Sequence, residues 1–404
     1  MSNLRPFCGV RPQSALASEI IAPPYDVLNE TEAREIVSRI PKSFLRITRS
    51  EVDLPEGSDS HGSEAYETAG ENLLKYIENG WMVQDVTPSF YLYTQTWQGR
   101  TQTGLMALCD TREYDENLIK KHELTRPDKE QDRTDHVHIL GAQTGLVFLT
   151  YRDQYASVKD AIAKAKLLKA DWSVTTADEV THTLTVISDA SLVSAIQSAF
   201  EGVDALYIAD GHHRSAAASR VAKLRERSGT SGYFLAGIFA DSELKVLPYN
   251  RVVADLNGHS QDVFVAKVAE SFDISPSESP EPPSRQTVTM YLDGAWHLLT
   301  PKAHILSDDV VDSLDASLLQ NNVLNPILGI ENPRTNTRIQ FVGGIRGPQA
   351  LSKAVDAKGG VAFCMYATGM DQLLAVADAD RLMPPKSTWF EPKLRGGVLV
   401  HRLD

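Results

Sequence analysis

Cysteine is scarce in this sequence. The 404 residues include only Cys8, Cys109 and Cys364, which lie far apart along the chain. A disulfide framework or a clustered zinc site needs more cysteines at closer spacing, so both are excluded. We expect three buried free thiols instead.

Long apolar runs are absent as well. No stretch approaches the roughly 18 consecutive apolar residues that a membrane-spanning helix needs. The first residues, MSNLRPFCGVRPQ, lack the apolar core of a signal peptide. We therefore expect a cytoplasmic protein with no membrane partner.

Positive charge is in deficit. Lysine and arginine together number 40 against 53 aspartates and glutamates, which gives a net charge of −13. A nucleic-acid-binding protein needs a basic surface that displaces counterions from phosphates, so we expect no nucleic-acid partner. A local basic pocket for a small phosphorylated ligand is still compatible with an acidic surface.

The pattern of apolar residues predicts a mixed α/β fold. From about residue 140 onward, apolar strand patterns alternate with helical ones, which favours a layered core. Earlier in the chain, Gly99 separates two alternating stretches that predict a β-hairpin. Asn29 and Glu32 are spaced like the two ends of a capping box at the start of a helix.

A proline- and serine-rich stretch interrupts this pattern at 275–286. Its composition is typical of a linker or a surface loop. We therefore divide the chain into a catalytic core with N-terminal insertions at 1–274, the stretch itself, and a C-terminal α/β segment at 287–404.

Residues 207–214, YIADGHHR, place two histidines and an arginine between an apolar strand and an alanine-rich helix. The first backbone N–H groups of a helix lack intrahelical partners and carry partial positive charge. Gly211 allows a ligand to approach the backbone closely. The junction could be a plain turn, a metal site or a phosphate site.

A phosphate site fits these residues best. Adjacent residues at a helix start diverge by about 100°, so His212 and His213 cannot easily bind one metal ion. A plain turn gains nothing from them. Arg214 can bind a phosphate or carboxylate through two hydrogen bonds. Asp210 could cap the helix, bind a substrate ammonium group or help to position a magnesium ion.

Two other polar stretches predict parts of a site. The charged segment 121–133, KHELTRPDKEQDR, is expected to be a loop with both ends anchored in the core. In it, Glu123 is a candidate general base, and Lys129 and Arg133 are candidate phosphate ligands. Two prolines stiffen the approach to Tyr25 and Asp26, which are expected in a cleft.

A third polar stretch lies near the C-terminal end. Lys386, Ser387 and Thr388 serve no amphipathic pattern and are predicted to belong to a site loop. In the N-terminal region, Arg46 and Thr48 are predicted to share one face of a strand.

Six segments, including the DGHHR turn, resemble a bacterial branch of the ParB/sulfiredoxin superfamily, domain of unknown function family 1015. Some of its members look like ATP-dependent kinases of free L-serine. The matching segments are RPFCGVRP (5–12), APPYDVL (22–28), KHELTRPDKEQDR (121–133), YIADGHHRSAA (207–217), LPYNRVV (247–253) and MPPKSTWFEPKL (383–394).

This resemblance implies a ParB/sulfiredoxin-like nucleotide-binding core, ATP or ADP with Mg²⁺, and L-serine as the phosphoryl acceptor. Glu123, ahead of Asp26, would be the base, with His212 and His213 also in the catalytic set. The remaining expected ligands are grouped by partner. The residues expected to bind the nucleotide are Asp210, Gly211, His212, His213, Arg214, Lys129 and Arg133. The residues expected to bind the substrate are Tyr25, Arg251, Lys386, Ser387 and Thr388.

Two other classes of function stay open. A ParB-like regulatory or DNA-partition protein shares the loop, although the acidic charge opposes it. A metal-dependent phosphohydrolase could use His212 or His213. The sequence contains neither a Gly-x-x-x-x-Gly-Lys-Ser/Thr loop nor the protein-kinase signature set, which excludes the two commoner kinase designs. A homo-oligomer is compatible with all of these functions.

Overall fold

Two units make up the fold that the computed structural model describes for residues 2–403. The first unit runs up to Leu244 and resumes at Pro392, and the second comprises Lys245–Glu391. Within residues 2–403, no helix combines the length and the apolar character needed to cross a membrane.

A mixed nine-stranded sheet forms the centre of the first unit. Its strands run in the order β6-β11-β8-β12-β5-β4-β10-β9, and β1 pairs with β5. The pairs β6–β11 and β8–β12 are parallel and the other pairs are antiparallel. The strands of this unit before residue 245 are β1 (Leu4–Arg5), β2 (Val10–Pro12), β3 (Met82–Gln84), β4 (Phe90–Trp97), β5 (Arg100–Asp110), β6 (Ile119–Lys120), β7 (Ala142–Gln143), β8 (Val147–Tyr151), β9 (Trp172–Thr175), β10 (Thr181–Ile187), β11 (Leu206–Asp210) and β12 (Tyr233–Ala240).

Nine α-helices of the first unit lie among the described residues. They are α1 (Ala17–Ile20), α2 (Glu30–Arg39), α3 (Leu45–Thr48), α4 (Ser63–Glu78), α5 (Thr111–Asp115), α6 (Pro127–Leu140), α7 (Ala156–Ala165), α8 (Ala190–Glu201) and α9 (His212–Leu224). Short 3₁₀ turns occupy Ser14–Leu16, Tyr25–Val27, Ser50–Asp53 and Asp241–Glu243.

The core of the first unit lies between this sheet and its helices. Strand residues such as Leu149, Ile208 and Ile238 pack with Ile196 and Phe200 of α8 and are almost completely buried. Burial of apolar side chains of this size contributes about 1.5–3 kcal/mol each, so the sheet forms a rigid base for the loops at its edges.

The second unit is built on an antiparallel six-stranded sheet in the order β15-β17-β16-β19-β14-β18. Its strands are β13 (Lys245–Leu247), β14 (Tyr249–Val253), β15 (Phe272–Pro276), β16 (Val288–Leu292), β17 (Ala295–Pro301), β18 (Ile339–Gly343), β19 (Val361–Met365) and β20 (Trp389–Glu391). Its helices are α10 (Gln261–Ser271), α11 (Asp315–Leu319), α12 (Gln349–Lys358) and α13 (Met370–Asp378), with 3₁₀ turns at Ala303–Ile305 and Gly344–Arg346 and a π-helical segment at Gln320–Leu324. The chain then returns to the first unit, where β21 (His401–Arg402) pairs with β7.

The mixed α/β fold class is confirmed, and so are two local predictions. β4 and β5 form the hairpin, and Gly99 takes the left-handed conformation at its turn (φ 72°). Asn29 accepts from the backbone N–H of Glu32, and the Glu32 side chain accepts from the N–H of Asn29, which completes the capping box of α2.

Three local predictions differ from the structure. Residues 127–133 of the expected charged loop belong to α6, which starts with Pro127 and ends at Gly141 in a left-handed conformation. A proline in the first turn and a left-handed glycine after the last turn are ordinary signals for the start and end of a helix. The apolar pattern between them is too weak to predict the helix. The stretch with Arg46 and Thr48 is the short helix α3 rather than a strand.

The third difference concerns residues 308–320, where the sequence predicts a helix. The helix begins only at Asp315, because Asp309 accepts from the N–H groups of Val311 and Asp312 and holds that stretch in a turn.

The proline- and serine-rich stretch 275–286 lies inside the second unit. β15 precedes it and β16 follows it, and both pair with β17 in one sheet. The connection is therefore a loop within the second unit. The boundaries between the two units lie after Leu244 and after Glu391, and not at 275–286.

Candidate functional site

The DGHHR junction is a strand-to-helix turn made by a single left-handed glycine. β11 ends at Asp210, Gly211 takes φ 99° and ψ 28°, and α9 begins at His212. A Cβ atom on Gly211 would lie 3.2 Å from Nε of Arg214 and 3.4 Å from Cα of Val147. Glycine is required here both for the backbone conformation and for the close packing of Arg214.

The two histidines of the junction point to different neighbours. The ring of His212 packs edge-to-face on the ring of His122, with centroids 4.5 Å apart. Nε2 of His213 accepts from the backbone N–H of Arg126 at 3.0 Å. Among residues 2–403, no group of three or more histidine, cysteine or acidic side chains is placed to hold a metal ion.

His122 and His212 are neutral at physiological pH. Burial lowers the pKa of His122 to about 4 and holds the pKa of His212 well below its usual value. Nδ1 of His122 and Nε2 of His212 are buried without a hydrogen-bond partner among the described residues. The pair can therefore exchange hydrogen bonds with a ligand but cannot supply positive charge.

Asp210 joins two cations and does not cap the helix. Its Oδ2 accepts from Nζ of Lys393 at 2.9 Å, and its Oδ1 lies 3.8 Å from a terminal nitrogen of Arg214. Burial alone would raise the pKa of Asp210, but the attraction of Lys393 and Arg214 outweighs it and lowers the pKa. Arg214 also donates to the backbone carbonyl of Leu146. Of the three roles considered for Asp210, helix capping is absent, because Gly211 is the N-cap and has no capping side chain.

Arg133 of α6 is fixed from two sides. Its guanidinium lies 4.4 Å above the ring centre of Tyr25, and it donates to Asp132 at 2.7 Å. Tyr66 donates to the same carboxylate at 2.6 Å. Burial alone would raise the pKa of Asp132, but the hydrogen bond and charge of Arg133 lower it to about 2.

Arg133, Arg214 and Arg395 line one cavity of the first unit, which we call the main cavity. It encloses roughly 700 Å³, part of it open to solvent. The remaining lining residues are largely apolar or small: Pro24, Tyr25, Thr48, His136, Val137, Gln143, Thr144, Gly145, Leu146, Val147, Ala218, Phe234, Leu235, Leu394 and Gly396. Three guanidinium groups beside an apolar wall suit a ligand with an anionic part and a flat apolar part.

Arg395 is the most buried of these three arginines. Its side chain is 9% exposed, and it donates to Nε2 of His182 at 3.3 Å and to the carboxylate of Asp178. Each arginine of the main cavity therefore has one acidic partner. Arg133 pairs with Asp132, Arg214 with Asp210 and Arg395 with Asp178.

Several predicted site residues do not line the main cavity. Lys129 is exposed on α6, one turn before Arg133, and Asp26 is exposed beside Tyr25. Asp26 still acts on the site through its charge. Burial alone would lower the pKa of Arg214, but the negative charge of Asp210 and, to a lesser extent, that of Asp26 raise it. Glu123 is half-buried in the loop between β6 and α6, next in the chain to His122.

The other expected substrate ligands belong to the second unit. Arg251 of β14 is buried and donates to the backbone carbonyl of Tyr249, and Nζ of Lys386 lies 5.4 Å from the centre of the Tyr249 ring. The hydroxyl of Ser387 donates to the carbonyl of Pro384 at 2.7 Å. Thr388 is half-buried next to it. The predicted residues are thus divided between the two units.

Comparison with known proteins places the chain in a family. The family described as "Protein of unknown function (DUF1015)" matches residues 4–317. The chain belongs to the DUF1015 family. No curated protein sequence matches this DUF1015 chain.

Solved structures overlap it only loosely. A free serine kinase variant in complex with AMP covers 70% of this chain and 87% of its own, at 11% identity and a TM-score of 0.37. A variant of a free serine kinase in complex with ADP also covers 70% of this chain and 87% of its own, at 11% identity and a TM-score of 0.37. SbnI with a C-terminal truncation, from Staphylococcus aureus, covers 72% of this chain and 85% of its own, at 9% identity and a TM-score of 0.39. Overlaps at these scores do not establish the activity of this chain.

The structure adds two basic residues of this DUF1015 chain that sequence patterns did not single out. Lys393 pairs with Asp210 and Arg395 lines the main cavity, yet both lie beyond the family match, which ends at residue 317. The sequence EPKLRGG around them contains two closely spaced basic residues before two glycines. That signal could have suggested a tightly turned anion-binding segment.

Proposed function

We propose that this protein is a phosphotransferase that moves the γ-phosphoryl group of ATP to the hydroxyl of free L-serine and forms O-phospho-L-serine. The observation that carries the proposal is the convergence of Arg133, Arg214 and Arg395 on the main cavity of a chain whose net charge is −13. An acidic protein that concentrates three guanidinium groups in one concave site is suited to a polyphosphate.

The nucleotide phosphates would lie at the start of α9. Backbone N–H groups there carry partial positive charge and bind anions. Arg214 lies over this glycine and is held by Asp210 and the Leu146 carbonyl. Arg133 would add a second positive charge, since its pairing with Asp132 and Tyr25 already holds it in position.

Mg²⁺ in such a reaction is held largely by phosphate oxygens and water, with one or two carboxylates. Asp26 is the exposed carboxylate that could serve in this way, because Asp210 is already paired with Lys393 and Arg214. When bound, the ion would neutralise charge on the phosphates. Asp26 would then hold it from the protein side.

A carboxylate would accept the proton of the serine hydroxyl, and Glu123 is preferred over Asp26 for this role. Glu123 follows His122, whose ring contacts His212 at the start of α9. This contact ties the Glu123 loop to the end of the helix where the phosphates would bind. The neutral rings of His122 and His212 would position ligands by hydrogen bonds and add no charge.

Serine as the acceptor rests on the family resemblance. In this proposal Tyr25, which lines the main cavity, would contact the amino acid. The roles of Arg251, Lys386, Ser387 and Thr388 in substrate binding stay predictions from the sequence. ADP is the alternative phosphoryl donor.

The first test is a ligand screen by thermal unfolding. ATP, ADP, AMP, L-serine and O-phospho-L-serine are added separately, and a ligand that binds only the native state raises the melting temperature. We expect ATP or ADP with Mg²⁺ to give the largest rise. The control is Arg214→Ala, which should abolish the rise.

The second test follows the chemistry. The protein is incubated with ATP, Mg²⁺ and L-serine, and the products are identified by phosphorus NMR and mass spectrometry. O-phospho-L-serine formed in proportion to ADP supports the proposal. Inorganic phosphate without phosphoserine would show a phosphohydrolase instead and contradict it.

A further inference from the structure

The first unit contains another cavity, which we call the second cavity. It encloses roughly 820 Å³, part of it open to solvent, and Arg5, Arg402, His401, Phe7 and Leu108 are among its lining residues. None of its described lining residues is acidic. Neither Arg5 nor Arg402 lines the main cavity.

Arg5 and Arg402 make no ion pair with another residue of 2–403, and both are exposed. The guanidinium of Arg5 lies 5.0 Å above the ring centre of Tyr233, and Arg402 donates to the side-chain oxygen of Gln84 at 3.2 Å. Two guanidinium groups without an acidic partner among the described residues attract an anion to this cavity.

His401 adds a hydrogen-bond acceptor whose tautomer the neighbouring contacts fix. The side-chain nitrogen of Gln143 donates to the carbonyl of Tyr233 at 2.9 Å, and its oxygen Oε1 accepts from the N–H of Leu235 at 2.7 Å. Nδ1 of His401 lies 3.3 Å from the same Oε1. Because Oε1 can only accept, Nδ1 must carry the proton.

Nε2 of His401 is therefore a lone-pair acceptor. The side chain is 2% exposed, and burial lowers the pKa of His401 to about 3, so the ring stays neutral. Nε2 has no hydrogen-bond partner among the described residues, and His401 is one of the residues that line the second cavity. A buried acceptor without a donor costs about 1–3 kcal/mol, which a ligand with a donor group would recover.

We propose that the second cavity binds a small organic anion that also carries a hydrogen-bond donor. Arg5 and Arg402 bind its carboxylate or phosphate groups, and Nε2 of His401 accepts a hydrogen bond from its donor. An anionic amino acid has this chemistry, because it combines two acidic groups with an ammonium group.

The test is calorimetric titration of the full chain in a buffer free of phosphate and carboxylates, without nucleotide. The probes are L-aspartate, O-phospho-L-serine and succinate, which has the two carboxylates of aspartate without the ammonium group. We expect at least one of the amino acids to bind. We also expect L-aspartate to bind more tightly than succinate, although succinate carries one more net negative charge, because only aspartate can donate a hydrogen bond to His401.

Two variants locate the binding. Arg5→Gln combined with Arg402→Gln should weaken it at least tenfold, since both side chains are exposed and their loss should leave the fold intact. Arg39→Gln, an exposed arginine on α2, removes one positive charge elsewhere and should change the affinity less than twofold. Circular dichroism checks that each variant is folded.

Three results would overturn the proposal: no binding of either amino acid, equal binding of aspartate and succinate, or unchanged affinity in the double variant. Binding that survives the double variant would lie elsewhere, for example in the main cavity. O-phospho-L-serine is also the product of the proposed phosphoryl transfer, so its loss in the double variant separates binding in the second cavity from binding in the main cavity. Aspartate and succinate take no part in that reaction, so their titration is independent of it.

Discussion

The two cavities of the first unit treat their arginines differently. In the main cavity, Arg133 and Arg214 each lie beside an aspartate, and their side chains are 12% and 19% exposed. In the second cavity, Arg5 and Arg402 are exposed and have no acidic partner among residues 2–403. The arginines of the main cavity are thus held in position before a ligand binds, whereas those of the second cavity attract a ligand mainly through their charge.

This difference has an energetic reason. A buried guanidinium needs a charged partner, because removing it from water costs several kcal/mol. The partner fixes its position, which lowers the ordering cost of binding a ligand. An exposed guanidinium pays no such cost, but it remains mobile and is screened by salt. Catalysis depends on position, so the main cavity is the better place for phosphoryl transfer.

The largest expected effect comes from removing Arg214. Arg214→Ala deletes a guanidinium that two contacts hold over Gly211, and it leaves Asp210 with one cation fewer. Charge-assisted hydrogen bonds of this kind are worth about 1.5–3 kcal/mol, so ATP affinity should fall roughly 10- to 100-fold. Titration calorimetry with ATP and Mg²⁺ measures it.

The matched control is Arg402→Gln in the second cavity. It removes the same charge from the same unit, but at a residue that does not line the main cavity. ATP affinity should stay within twofold of the native value. An equal loss in both variants would mean that overall charge, and not the geometry at α9, determines nucleotide binding.

The next effect tests how the main cavity is preorganised. In Gly211→Ala the new Cβ would meet Arg214 at 3.2 Å, and an alanine must take φ 99°. A left-handed alanine costs about 1–2 kcal/mol, and displacement of Arg214 adds to it. We expect the free energy of unfolding to fall by about 2–3 kcal/mol, together with a loss of ATP affinity, as measured by urea unfolding and calorimetry.

Gly80→Ala separates the two contributions. Gly80 also has a positive φ, 66°, but a Cβ there meets nothing within 4 Å. It should cost only about 1–2 kcal/mol and leave ATP affinity unchanged. If both glycine variants lose affinity equally, the contact between Gly211 and Arg214 does not organise the site.

Acid should destabilise the protein through three buried histidines, of which His136 lines the main cavity and His401 lines the second. Burial lowers the pKa of His122 to about 4 and those of His136 and His401 to about 3, against about 6.5 in an unfolded chain. Between these values the unfolded state binds more protons, so stability is greatest above pH 6.5 and falls as the pH drops towards 3.

Each of these histidines contributes up to about 1.4 kcal/mol per pH unit within its window. Urea unfolding at pH 7, 6, 5 and 4 measures the slope. His401→Gln removes one contribution and should make the slope shallower. A slope that is flat between pH 6.5 and 4 would show that the histidines are not buried in neutral form.

Local signals made part of the site predictable from sequence. The turn at Gly211 and Arg214 is visible because strand, glycine, charge and helix follow one another within eight residues. α6 could also have been recognised, since Pro127 and Gly141 mark its two ends. The charged residues between these ends instead predict a loop.

Long-range pairs were not predictable in this way. Asp178 and Arg395 are 217 residues apart, and Asp210 and Lys393 are 183 apart. No local pattern of propensity or periodicity encodes such a contact, because it depends on how separate strands and loops assemble. The acidic partners that distinguish the main cavity from the second therefore appear only in the structure.

The smallest expected effect concerns stability in the second cavity. The side chain of Arg402 is exposed and bonds only to Gln84 among the described residues, so Arg402→Gln should change the free energy of unfolding by less than about 0.5 kcal/mol. Arg133→Gln should cost at least about 1 kcal/mol, because it leaves the carboxylate of Asp132 without its cation. Urea unfolding of both variants compares them directly. Equal losses would mean that pairing with an aspartate does not distinguish the arginines of the two cavities.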